Sequence, residues 1–140
     1  MKFAWDLSEK YFDEYKNHQQ EFKDKEEEDR TYIGSVRTGD LCFDIMNWGS
    51  HLWFDLYVGG VDTGYGYSDK EGYKGYPYDY CDAASFRYDR DVSDMSLQEF
   101  KKELSEKIIK HLSENREYTT DIGAIHVDLL KKAEENLKMW

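Results

Sequence analysis

Residues 41–58 constrain the fold more than any other part of the chain. From Leu41 to Trp48 the odd positions are Leu41, Phe43, Ile45 and Asn47, and the even ones Cys42, Asp44, Met46 and Trp48. From His51 to Val58 the pattern inverts: the even positions Leu52, Phe54, Leu56 and Val58 are apolar, and the odd ones are His51, Trp53, Asp55 and Tyr57. Alternation with period two marks β-strands, and an even-length hairpin loop pairs odd with even positions. That register sets Leu41, Phe43 and Ile45 beside Leu52, Phe54 and Leu56. An odd-length loop mixes the faces and buries charge, so the even loop is predicted.

The opposite face then gathers Cys42, Asp44, Met46, Trp48, His51, Trp53, Asp55 and Tyr57, and is expected to point outward. With Gly49-Ser50 as the loop, Asp44 and Asp55 lie directly opposite; a loop from Asn47 to Ser50 makes them diagonal neighbours. Side-by-side carboxylates repel unless a cation intervenes. Arg37 is the candidate counter-ion if Gly39-Asp40 is the preceding turn. The plain reading is a half-exposed sheet face with Arg37 softening the repulsion. The functional readings are an acidic-aromatic docking patch, a catalytic carboxylate pair or a divalent-cation site.

Around this hairpin the chain reads in three stretches: helix over 1–30, antiparallel sheet over 31–95 and two helices over 96–140. Ala4, Leu7, Tyr11, Tyr15, His18 and Phe22 follow the three- and four-residue steps of one helix face, with Asp6 and Glu9 as its cap. The charged run from Lys23 to Arg30 reads as a solvated last turn or connector. Strands are expected at Tyr32–Thr38, Leu41–Trp48, His51–Val58, Val61–Tyr67 and Tyr78–Tyr88. Ser68 to Gly75 reads as a polar loop, and Pro77 argues against central strand pairing there. Ser96 and Glu99 form a capping box ahead of Leu97, Phe100, Leu104, Ile108 and Leu112, and Asp121 caps a last helix carrying Ile122, Ile125, Leu129, Ala133, Leu137 and Trp140. The prediction is a single α+β domain: a meander of four to five antiparallel strands, packed on one face by the N-terminal helix and two C-terminal helices.

Charge narrows the function. Thirty Asp and Glu against nineteen Lys and Arg give a net charge of −11. Direct binding to nucleic acid, or to an anionic membrane surface, needs the cations that this chain is short of. Nine of the twelve tyrosines lie in residues 31–95, where eleven acids face five bases. Tyrosine supplies rigid apolar area with a polar tip and is enriched at interfaces. The plain reading of the tyrosine-rich stretch is a solvated sheet edge with a Gly-rich loop.

The favoured function is a non-enzymatic acidic protein that docks a basic protein surface. Its expected contacts are Asp44, Trp48, Trp53, Asp55, Tyr57, Tyr65, Tyr67, Tyr76, Tyr78, Asp79 and Tyr80. One concrete version is a nucleic-acid mimic of the anti-restriction or anti-CRISPR kind, carried by a phage or mobile element, in which carboxylates stand in for phosphates. The alternatives are a small enzyme or carbohydrate-binding domain using the paired carboxylates and flanking rings, and a scaffold domain.

No P-loop, dinucleotide fingerprint, calcium loop or zinc signature occurs, so no cofactor or metal is expected. Cys42 and Cys81 form no CxxC pair and read as buried free thiols. No apolar run reaches the roughly 18 residues of a membrane span, and the N-terminus lacks the apolar stretch of a secretory signal, so a cytoplasmic location is expected.

Overall fold

Backbone pairing confirms the central register. The computed structural model describes residues 2–22, 26–59, 78–81, 84–119 and 126–134. Strands β1 (Ala4–Asp6), β2 (Glu26–Thr38), β3 (Leu41–Gly49), β4 (Leu52–Gly59), β5 (Tyr78–Tyr80) and β6 (Phe86–Tyr88) form one antiparallel sheet. They run in the order β1-β2-β3-β4-β5, with β6 also paired to β4. Helices α1 (Glu9–Glu21), α2 (Leu97–Glu114) and α3 (Leu129–Glu134) and a two-stranded ribbon of β7 (Glu117–Thr119) and β8 (His126–Asp128) complete the α+β architecture.

The β3–β4 hairpin closes on Gly49-Ser50. Gly49 takes φ +87°, the left-handed region that glycine enters without steric cost, and the Trp48 amide donates to the His51 carbonyl at 3.0 Å. Leu41 therefore faces Val58, Phe43 faces Leu56 and Ile45 faces Phe54. Leu41, Phe43, Ile45, Leu52, Phe54 and Leu56 are all fully buried. They share one core with Phe12 and Tyr15 of α1, Phe100, Leu104, Ile108 and Leu112 of α2, and Leu129 and Ala133 of α3. Phe86 of β6 stacks on Phe54 at 4.8 Å between centroids. The inner face is the one the helices cover.

Several boundaries differ from the sequence expectation. Residues 4–6 form an edge strand on β2 instead of helix, and Ser8, not Asp6, caps α1 by accepting from the Tyr11 amide. Residues 26–30, read as a helix end, begin β2, with Glu26 opposite Gly49. The expected strand 78–88 is two strands, because its register along β4 shifts between Tyr80 and Phe86. In that interval the Ser85 hydroxyl takes the Leu56 amide and donates to the Cys81 carbonyl, replacing ladder bonds. Residues 126–128, placed in a helix by their spacing, pair with β7. The α3 helix starts only after Asp128, whose carboxylate accepts the Lys131 amide at 3.0 Å and is thereby held below the usual carboxylate range. The capping box of Ser96 and Glu99 forms as expected. The expected strand 61–67, loop 68–75, Pro77 and Asp121 lie outside the described residues.

Two polar devices fix the helices on the sheet. Gln19, at 6% exposure, donates to the Ser50 and Arg90 carbonyls and the Tyr15 hydroxyl, and accepts from the Val92 amide. It ties α1 to the β3–β4 turn and to the segment after β6. At the other end of β3, the Gly39-Asp40 turn abuts the last turn of α3. The Asp40 amide donates to the Lys132 carbonyl, and a Cβ on Gly39 would lie 2.1 Å from that same oxygen. No helix among the described residues is long and apolar enough to cross a membrane.

Gln19→Leu keeps the side-chain volume but orphans the buried Val92 amide and two carbonyls. It is expected to lower unfolding free energy by about 2–4 kcal/mol in urea denaturation; a change within about 0.5 kcal/mol would show the bonds to be dispensable. Tyr88, 3% exposed, donates its hydroxyl to Glu103, and burial pushes it up to about 12 although the Arg90 guanidinium pulls it down. Its stabilising contribution is present below pH 10, the ordinary tyrosine value, and is lost as pH climbs toward 12. Tyr88→Phe should make the fall of stability between pH 10 and 12 shallower, with Tyr15, also raised by burial, left to carry the remainder. An unchanged slope would count against this assignment.

Candidate functional site

The outer face of the sheet follows from the same register, read one residue over. Ser35, Asp44 and Asp55 form one row across β2, β3 and β4, with Asp6 of β1 opposite Ser35. Arg37, Cys42 and Tyr57 form the next row, which continues to Tyr80 of β5. On the other side of the aspartates lie Tyr32, Met46, Trp53 and Arg87. Asp44 and Asp55 are directly opposite, as the two-residue turn requires.

A bulge decides which cation meets them. Tyr32 pairs with Met46 while Gly34 pairs with Ile45, so Ile33 is one extra residue and the alternation of β2 inverts there. Beyond the bulge, Tyr32 and Arg30 stand on the outer face. Arg30 places Nη1 3.2 Å from Asp55 Oδ2 and its guanidinium 6.0 Å from the Trp48 ring. Arg37 takes the outer row beside Cys42, as expected, but the ion pair seen on Asp55 comes from Arg30. Gly34 completes the bulge: a Cβ there would lie 2.4 Å from the Asp6 carbonyl oxygen of β1.

The face is not the uniformly outward surface that alternation suggests. Asp44 and Asp55 are each 3% exposed, Cys42 is fully buried and Tyr57 is 9% exposed. Trp48 and Trp53 are half-buried, whereas Tyr32, at 48%, Arg30 and Arg87 are exposed. The centre of the face is thus closed and its β3–β4 turn end is half-open. Trp48 also buries its indole N–H with no acceptor among the described residues. Sequence reasoning missed Arg30 and Tyr32, because the bulge that turns them outward has no signal in the period-two pattern. Of the other expected contacts, Tyr78, Asp79 and Tyr80 form β5, opposite Gly59, Val58 and Tyr57. Tyr65, Tyr67 and Tyr76 lie outside the described residues.

The Cys42 thiol sits 4.0 Å from Asp44 Oδ1, a weak donor on a carboxylate. Cys81 belongs to the helix-covered core instead, and the two thiols are not joined in a disulfide. Among the described residues, no group of three or more His, Cys, Asp or Glu is placed to hold a metal ion.

A second acidic surface comes from the helix side. Gln19 holds α1 next to residues 89–92, and Gln20 reaches Asp91. Over α1 and residues 89–94, seven carboxylates (Glu9, Asp13, Glu14, Glu21, Asp89, Asp91 and Asp94) face three cations (Lys10, Lys16 and Arg90), a net of −4. All seven carboxylates are exposed. Their field reaches inward: after burial, Asp89 and Asp91 are the next causes that push the Tyr15 hydroxyl up. Arg87 meets Asp89 at 3.4 Å, and Arg90 is drawn to Glu103 of α2.

Comparison with protein-family models, curated proteins and solved structures finds no match to this chain.

The Arg30–Asp55 pair is open to a direct test. Arg30→Ala should cost about 1–3 kcal/mol of stability, more than a fully exposed pair, because Asp55 stays buried when its partner is cut away. The same substitution in an Asp55→Asn background should cost clearly less. Equal losses in the two backgrounds would mean that the pair is not coupled.

Proposed function

We propose that this chain is a non-enzymatic acidic binding protein that docks a basic protein surface. The observation that carries the reading is the contact of α1 with residues 90–92, which joins two segments that together hold seven exposed carboxylates and three cations. Exposed charge of one sign speeds encounter with an oppositely charged partner and selects against like-charged ones. In its finer form the protein is a nucleic-acid mimic, whose carboxylates occupy a site built for phosphates, as in anti-restriction or anti-CRISPR inhibitors. With Asp44 and Asp55 buried, this reading draws its docking contacts from the exposed acids of the helix side, not from the sheet centre that alternation suggests.

The test is capture of partners from the source cell on immobilised protein at about 50 and about 500 mM salt, where screening shortens the reach of exposed charges. The expected complex weakens by tenfold or more at high salt and is displaced by duplex DNA or RNA. Asp89→Asn, Asp91→Asn and Asp94→Asn combined should weaken it similarly while leaving thermal stability near wild type. A complex indifferent to salt and to these three changes would sink the reading. Retained salt dependence without displacement by nucleic acid would remove only the mimic version.

One observation favours a second reading, a carbohydrate-binding or small catalytic site. The directly opposed Asp44 and Asp55 adjoin the half-open Trp53 and Tyr32, and rings beside acids suit sugars. Soluble oligosaccharides should then quench tryptophan fluorescence saturably, and Asp44→Asn should abolish the effect. A flat titration with a broad oligosaccharide panel would discard this alternative.

A further inference from the structure

We draw no further inference here: the strongest candidate, the half-exposed strip of Tyr32, Met46 and Trp53 at the turn end of the outer sheet face, carries nothing because nothing in the structure shows what covers it.

Discussion

The two-residue turn at Gly49-Ser50 sets the parity of the sheet, and most other features follow from that parity. It puts six large apolar side chains of β3 and β4 on the helix side, each with no exposed surface. Burying each is worth about 1.5–3 kcal/mol, so the correct register gains on the order of 10 kcal/mol over one that turns them to water. The same parity obliges Asp44 to face Asp55. An opposed like-charge pair costs about 1 kcal/mol at a surface and several when buried. The apolar face wins that comparison, and the carboxylates must be accommodated where they fall.

Accommodation is what the Ile33 bulge supplies. Strict period-two alternation along β2 would send Arg30 toward the helices, where an ion has no place. The strand is irregular at Ile33 and again between Glu26 and Thr31, and the guanidinium reaches Asp55 on the outer face. The bulge also explains why Gly34 is glycine, since β1 passes so close that its Asp6 carbonyl occupies the space of a Cβ. A charge problem created in one hairpin is thus relieved by an irregularity in the neighbouring strand.

How much of this was legible depended on whether a feature has a local signature. The parity of β3 and β4 was readable because eight-residue alternation is hard to mimic, and the Ser96–Glu99 box because its chemistry is confined to one turn. The edge strand β1 was not, since Ala4 and Leu7 also fit helical spacing and Asp6 with Glu9 imitates a cap. The charges of residues 26–30 also fit a helix end and say nothing of the backbone partner, which is the far end of β3. His126 to Asp128 is too short for any period to declare itself. Burial of Asp44 and Asp55 was hidden for a different reason: alternation distinguishes two faces but cannot say that both are covered.

Buried and exposed carboxylates play different parts in such a molecule. Asp44 and Asp55 are locked by neighbours within a few ångströms, such as Arg30 and Cys42, and added salt screens buried charges weakly. The carboxylates of α1 and residues 89–94 stand in water, where their field extends about 8–10 Å before physiological salt cancels it. Changes to the inner pair therefore register first in folding, and changes to the outer group in association. On the proposed reading the division has a structural origin in Gln19. By closing α1 onto residues 90–92, it brings together acids far apart in sequence, and it does so through a neutral amide that adds no charge of its own.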